Sequence, residues 1–292
     1  MTNPIRHFPA VLGAALAAFL THAAAADTAA TATAGDKPVL AVCADPANLP
    51  YSNDKQEGFE NKVAAVLAND MHAELRYFWF AEHRSFFRRT LLDGLCDVVI
   101  SVPDKLSIVG TTKPYFTSTY VAVTRVKDNR HFKSFDDPWL RDARIGLQLV
   151  GNDGATTPPA MSLSRRNINQ HITGFQMWGA PGDANPQGKI IDAVADGSID
   201  VALVWGPFAG YFAKAHGSEL QIEPITADPQ VPELTFAFPM ALGVRKADTA
   251  LREKLQVALD RHQPEIEAIL RDYGIPQVPQ AAPVQASAPV TQ

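Results

Sequence analysis

The chain has 292 residues, of which 46% are hydrophobic and 20% are charged, and its formal net charge is −5. This is the composition of an ordinary globular protein that can form a sizeable core. The mild acidity argues against nucleic acid or an anionic membrane surface as a partner.

The N-terminus is typical of an export signal. Arg6 supplies the positive region, Phe8 to Leu20 the apolar region, and Ala24 to Ala26 a small-residue cleavage site before Asp27. The apolar run is short for a membrane span, and no lipid-modified cysteine follows it. We predict a periplasmic protein whose signal peptide, residues 1–26, is cleaved; an uncleaved N-terminal anchor is the alternative.

The first half of the mature chain alternates strands with helices. VLAVCAD (39–45) is a mostly apolar run, typical of a strand buried on both faces, and GFENKVAAVLANDM (58–71) places apolar residues on one helical stripe. A second strand, AELRYFWF (73–80), precedes a helix that ends at Gly94 and the strand CDVVIS (96–101). This alternation predicts an α/β fold with a parallel sheet.

The same order of elements begins again at RIGLQLVG (144–151). Thr157 and Pro158 predict a helix start, with the threonine as N-cap. The phrase DGSIDVALVWG (196–206) then repeats the helix-end and strand pattern of DGLCDVVIS (93–101). The repetition indicates that each copy belongs to a separate α/β lobe.

Two crossings near TYVAVTRVKD (119–128) and LTFAFPMAL (234–242) are predicted to join the lobes. The fold class is therefore α/β with two lobes and a central cleft at the carboxyl ends of the strands, where ligands bind in such sheets. The predicted segments are lobe I, 38–126 plus 238–277; lobe II, 127–237; and disordered ends rich in Ala, Pro, Thr and Ser, 27–37 and 278–292.

The chain contains only two cysteines, Cys43 and Cys96. An oxidising export compartment favours a disulfide between them. The bond would close a loop of about 50 residues, worth roughly 4 kcal/mol in the chain-entropy description. Cysteines at opposite ends of neighbouring strands would lie beyond the roughly 7 Å limit between Cα atoms, so two buried free thiols are the alternative.

A series of motifs in this chain resembles the type II periplasmic solute-binding proteins. They are CADPANLPYS, GFENKVAAVLANDM, DGLCDVVISVP, TKPYFTSTYVAV, RIGLQLVGNDGATTPPA and DGSIDVALVWGPFAGYF. Within that family, residues 38–277 resemble one branch in particular, the MoxJ/XoxJ-type accessory proteins of methanol dehydrogenase clusters. The TTPPA loop, the WGPFAGYF segment and the Cys43/Cys96 pair carry the narrower resemblance.

The resemblance implies a periplasmic accessory protein rather than a nutrient receptor. Its partner would be a PQQ-dependent alcohol or methanol dehydrogenase, dependent on a lanthanide or on calcium, which the accessory protein helps to activate or mature. The c-type cytochrome of that dehydrogenase is a second candidate partner.

Two positions depart from amino-acid receptors of this fold. Those receptors carry an arginine before an S-D-P-Y segment to clamp the ligand carboxylate, whereas Lys105 stands here, ahead of Pro114-Tyr115. They also end the second-lobe strand with an aspartate that holds the ligand ammonium, whereas this chain has Trp205. An aromatic wall there favours an apolar or aromatic ligand, or an inserted side chain of a partner. The alternatives are plain packing of Trp205 against the next helix and plain exposure of Lys105.

The other candidate cleft residues follow predicted strand ends or begin helices. Together with the two positions above, the predicted ligand or partner cleft comprises Asp45, Asn48, Tyr51, Phe59, Glu60, Lys105, Tyr115, Thr156, Thr157 and Trp205. The segment from Gly151 to Thr157 could also present backbone N–H groups to an anion at a helix start.

No catalytic motif is recognisable. The sequence lacks G-x-S-x-G, H-E-x-x-H, a P-loop and G-x-G-x-x-G, and its eight histidines include no i, i+4 pair. We predict a non-enzymatic protein without a cofactor or metal. Two alternatives stay open: an ABC-transporter receptor for a small apolar or aromatic solute, and an enzyme with Glu60 or Asp45 as acid or base.

Overall fold

The computed structural model describes residues 37–82, 85–149, 156–177 and 185–279. The predicted signal peptide, nearly all of both predicted disordered ends and the segment from Gly151 to 155 lie outside these residues. The strands are β1 Val39–Ala44, β2 Ala47–Asn48, β3 Ser52–Asn53, β4 Glu74–Trp79, β5 Val98–Pro103, β6 Gly110–Thr111, β7 Phe116–Arg125, β8 Ile145–Leu149, β9 Ile172–Gln176, β10 Val201–Trp205, β11 Leu220–Ile225 and β12 Ala237–Val244. The α-helices are α1 Phe59–Asp70, α2 Phe86–Arg89, α3 Pro158–Arg165, α4 Lys189–Ala195, α5 Gly206–Ala213, α6 Thr249–Arg261 and α7 Gln263–Asp272.

The strands of lobe I lie in the order β4-β1-β5-β12-β7. Strand β1 is parallel to β4 and β5, as predicted, but β12 is antiparallel to both β5 and β7. The prediction of a parallel sheet is therefore confirmed for β1, β4 and β5 and does not extend to β7 and β12. The reason is that β7 and β12 carry the chain between the lobes, so neither follows a helical crossover within this sheet. Helices α1, α6 and α7 contact one another and contribute to the core of this lobe.

Strand β7 belongs to both lobes. Its residues 116–119 pair with β12, and its residues 120–125 pair with β10 and β11. In lobe II, β10 is parallel to β8 and β8 is parallel to β9. The backbone N–H of Tyr120 donates to the carbonyl of Phe236 at 3.1 Å, where the returning chain approaches β12. The two crossings thus lie side by side.

Gly197 follows the end of α4 as the repeated phrase predicts, whereas Gly94 ends the turns after α2 and not the helix itself. Gly94 has a φ of +75° and Gly197 a φ of +84°, a left-handed conformation that residues with a Cβ rarely adopt. Thr157 caps α3 by accepting a hydrogen bond from the N–H of Ala160 at 3.4 Å. Helix α2 is shorter than predicted and ends before Leu91.

Cys43 and Cys96 form a disulfide, with 5.4 Å between their Cα atoms. The predicted bond is confirmed. Strands β1 and β5 are neighbours with Val42 opposite Val98, and Cys96 precedes β5, so the chain approaches Cys43 before the strand begins. Of the helices that the structure describes, none has the length and apolar character to cross a membrane.

Candidate functional site

A cavity of about 390 Å³ is lined by residues of both lobes. This volume lies within the range of small-molecule pockets. Its apolar lining comprises Tyr120, Met177, Trp205, Phe208, Phe238 and Met240. The first crossing supplies Tyr120 and the second supplies Phe238 and Met240, so the connecting strands themselves form part of the wall.

Trp205, the last residue of β10, lines this cavity and is partly exposed. Its ring meets Tyr120 at a centroid distance of 5.4 Å and Phe238 at 5.7 Å, both edge to face. Such pairs hold one another in fixed orientations. The indole also packs against the core of lobe I, so it both walls the cavity and joins the lobes.

The polar groups of Trp205 are both engaged. Its indole Nε1 donates to the phenolic oxygen of Tyr51 at 2.5 Å, and its backbone N–H donates to Oε1 of Gln148 at 2.9 Å. The side chain of Gln148 also lines the cavity. Among the described residues, its Nε2 is a buried donor without a hydrogen-bond partner.

Asn48 forms a second polar link between the lobes. Its Nδ2 donates to Oε2 of Glu82 at 3.1 Å, and its Oδ1 accepts from Nε2 of Gln187 at 3.2 Å. Gln187 also donates to the carbonyl of Ala47 at 3.1 Å. Asn48 and Glu82 both line the cavity, so this link lies at its edge.

Asp45 and Glu60 are buried in lobe I rather than among the cavity-lining residues. Asp45 accepts the N–H of Ala47 at 2.8 Å and that of Glu82 at 2.6 Å, and thereby positions the loop after β1. Burial, together with the nearby carboxylate of Glu82, raises the pKa of Glu60 to about 8, although a hydrogen bond from Ser101 opposes the shift. Glu60 is therefore largely protonated at neutral pH.

The two tyrosines of the predicted set are also held by internal contacts. Tyr51 is buried and contacts the ring of Phe59 at a centroid distance of 4.9 Å. The hydroxyl of Tyr115 shares a hydrogen bond with Ser101 Oγ at 2.8 Å. Burial raises the pKa of both tyrosines well above the usual value, so both remain neutral.

The remaining predicted residues do not meet at the cavity. Phe59 is fully buried in the core of lobe I, and Lys105 is exposed in the loop after β5. Thr157 is occupied as the cap of α3, while Thr156 borders a separate depression with Met161. The described cavity lining contains no lysine, arginine or histidine. Within the described residues, no cluster of His, Cys, Asp or Glu is arranged to hold a metal ion.

Sequence reasoning missed several lining residues. Tyr120 and Phe238 lie in the two predicted crossings. A chain segment that crosses between two lobes must pass the cleft, so the crossings could have pointed to these two residues. Gln148 is the one amide in the apolar strand RIGLQLVG, which is a visible anomaly in a buried strand. Gln187, which bonds to Asn48 and does not itself line the cavity, follows a stretch rich in Gly and Pro, and no local pattern marks it.

Among the known proteins that are similar to this chain are the following three. Protein MoxJ of Methylorubrum extorquens is 31% identical over 280 residues, which is 91% of this chain and 92% of that protein. The crystal structure of the periplasmic binding protein XoxJ from Methylobacterium extorquens AM1 is 32% identical, with a TM-score of 0.68 over 83% of this chain and 100% of that one. The crystal structure of MxaJ from Methylophaga aminisulfidivorans is 27% identical, with a TM-score of 0.70 over 82% of this chain and 100% of that one. No family model matches the chain.

Proposed function

The chain belongs to the MoxJ family of periplasmic-binding-protein-like proteins, and from this premise we propose that it is an accessory factor in methanol oxidation. The factor binds a PQQ-dependent alcohol or methanol dehydrogenase in the periplasm and assists its activation or maturation. It performs no catalysis itself, and the c-type cytochrome of the dehydrogenase is a second candidate partner.

The observation that carries this proposal is the chemistry of the interlobe cavity. A receptor for amino acids needs a cation for the ligand carboxylate and a carboxylate for its ammonium. Here the described lining offers no cation, and the indole N–H of Trp205 is already bonded to Tyr51. The cavity is therefore poorly suited to nutrient amino acids, which supports a role other than their capture.

Export to the periplasm forms part of the proposal. The disulfide between Cys43 and Cys96 is of a kind that persists in oxidising compartments and is rare in the cytosol. The predicted signal peptide, residues 1–26, lies outside the described residues. N-terminal sequencing of the exported protein should find a mature chain that begins near Asp27.

Purification from the native periplasm tests the proposed partnership. The protein, with an affinity tag at its C-terminus, should retain a quinoprotein dehydrogenase through washing at moderate salt. A matched control is a tagged solute receptor of similar fold from the same periplasm, which should retain none. Recovery of equal amounts of dehydrogenase with both proteins would contradict the proposal.

A second candidate function is supported by the cavity volume. A receptor of an ABC transporter for a small apolar or aromatic solute would also need an interlobe pocket of about this size. That function predicts growth on the solute that depends on the protein, with no effect on alcohol oxidation. An enzymatic function would instead require a turnover that Glu60→Gln abolishes.

A further inference from the structure

The end of the last helix of lobe I and the segment after it contact both the first crossing and lobe II. We call residues 272–278 the C-terminal latch. The backbone N–H of Val278 donates to the carbonyl of Thr117 at 3.0 Å, and Oγ of Ser118 donates to the carbonyl of Pro276 at 2.6 Å. Thr117 and Ser118 lie in β7, directly before the residues that pair within lobe II. The latch is therefore attached to the chain at the point where it passes between the lobes.

Two glycines of α5 allow the latch to approach this helix of lobe II. Gly206 and Gly210 are both buried, and their spacing of one turn places them on the same face of α5. A Cβ at Gly210 would overlap the carbonyl group of Gly274 and would lie 3.0 Å from Cδ of Pro276. A Cβ at Gly206 would lie 3.3 Å from Cγ of Pro276. The backbone of the latch thus packs directly against the backbone of α5.

Side chains continue this contact away from the crossing. The ring of Tyr211 in α5 stacks on that of Tyr273 in the latch, with 5.8 Å between the centroids and 14° between the planes. The hydroxyl of Tyr273 donates to the carbonyl of Glu57 in lobe I, and the ammonium of Lys214 donates to the carbonyl of Asp272. The contacts therefore continue past the end of α5, over about 12 Å in all at the rise of an α-helix.

A two-lobed receptor takes up its ligand by rotation of the lobes about the segments that connect them. In this chain, such a rotation would carry α5 away from the latch, because α5 belongs to lobe II and the latch is attached to lobe I. It would separate the stacked tyrosines and break the close contact at Gly210 in the same movement. We propose that the C-terminal latch holds the two lobes in one arrangement, so that the protein does not open and close as a solute receptor does.

This inference goes beyond the proposed function, because it concerns the motion of the isolated protein and names no partner. A latched protein presents residues of both lobes as one fixed surface. The inference also separates this chain from a transport receptor, which must open to release its solute.

Distances between spin labels in the two lobes test the inference. Ser164→Cys in α3 and Glu253→Cys in α6 place one nitroxide on an exposed helical position of each lobe, and oxidising conditions keep the bond between Cys43 and Cys96 intact. Pulsed electron–electron double resonance should show one narrow distance population for this labelled parent protein. Two populations in the parent protein would overturn the inference.

Two changes release the latch in different ways. Gly210→Ala places a methyl group where the carbonyl of Gly274 lies. A chain that ends at Ile275 lacks the contacts of Pro276 and Val278 but keeps Ile275, which is buried in the core of lobe I. Each change should add a second distance population that the parent lacks. A single population, unchanged from the parent, in the folded variants would overturn the inference.

Three matched controls leave the latch intact and should keep the single population. Gly110→Ala adds a methyl group in lobe I with no neighbouring atom nearer than 3.5 Å, and a chain that ends at Gln280 retains the whole latch. Tyr51→Phe removes the hydrogen bond from Trp205 at the cavity instead. A second population in Tyr51→Phe would show that the latch does not hold the lobes and would overturn the inference.

If Gly210→Ala fails to fold, the chain that ends at Ile275, the parent protein and Tyr51→Phe still decide the question. No dehydrogenase is present in these measurements. Their failure would therefore leave the proposed accessory function untouched, and the reverse also holds.

Discussion

The indole nitrogen of Trp205 donates a hydrogen bond to the phenolic oxygen of Tyr51, and the two residues lie 154 positions apart in the sequence. Tyr51 follows the first strand of lobe I, and Trp205 ends the strand β10 of lobe II. The bond therefore links the lobes directly. It also explains how a tryptophan can stand at the cavity without offering its N–H to a ligand.

A double-mutant cycle measures this link. Tyr51→Phe should lower the free energy of unfolding by about 1 kcal/mol, because the indole N–H loses its acceptor. Trp205→Phe should cost about 1–3 kcal/mol, since it removes the donor and some packing. The double variant should show a coupling energy of about 1 kcal/mol in urea denaturation.

Additivity within about 0.3 kcal/mol would show that the two side chains do not interact in solution. A suitable control pair is Tyr51→Phe with Tyr77→Phe. The hydroxyl of Tyr77 donates instead to the backbone carbonyl of Asn61, so the effects of these two changes should add.

The disulfide should contribute a large share of the stability. The bond joins residues separated by 53 positions, and the chain-entropy description assigns roughly 4 kcal/mol to a loop of that size. Reductant should therefore lower the thermal midpoint of the wild-type protein substantially. The variant Cys43→Ser/Cys96→Ser should melt near the reduced wild type, with or without reductant. Equal melting of oxidised and reduced wild type would contradict this expectation.

Stability should fall as the pH rises from about 4.5 to about 8. The folded state raises the pKa of Glu60 from 4.5 to about 8, so in this window the folded protein binds more protons than the unfolded chain. The favourable contribution of Glu60 to stability is complete below pH 4.5 and is lost as the pH approaches about 8. One such group changes the free energy of unfolding by at most about 1.4 kcal/mol per pH unit.

Glu60→Gln removes this titration and keeps the shape of the side chain. Denaturation curves between pH 5 and pH 8 should therefore show a shallower loss of stability for Glu60→Gln than for the wild type. The carboxylates of Glu82 and Asp45, which also face Glu60, remain in both proteins. Glu253→Gln on the exposed side of α6 serves as the control. A wild-type pH slope that Glu60→Gln leaves unchanged would contradict the expectation.

Much of the fold could be predicted from local patterns. The apolar stripe of α1, the glycine after α4 at Gly197 and the apolar runs of β1 and β10 all depend on neighbours in sequence. Strands β9 and β11 were not predicted. Strand β9 is mostly exposed and contains Gly174, and β11 contains Pro224, which is unfavourable inside a ladder.

The candidate site was harder to predict than the fold. Trp205 and Asn48 could be placed because they directly follow or end strands, where α/β sheets bind ligands. Phe59 and Thr157 also lie near predicted strand ends or helix starts, but they do not reach the cavity. Phe59 packs in the core of lobe I, and Thr157 caps α3. Tyr120 and Gln148 reach the cavity through pairing of distant strands, and their role depends on tertiary contacts that no local pattern contains.

The most direct test of the accessory function mixes the mature protein with the apo and holo forms of a quinoprotein dehydrogenase from the same organism. Dye-linked alcohol oxidation and complex formation are measured in the same samples. We expect the wild-type protein to bind and to raise the activity. Trp205→Ala should raise it less, at a temperature where both proteins remain folded. Absence of both binding and any change in activity would contradict the accessory function.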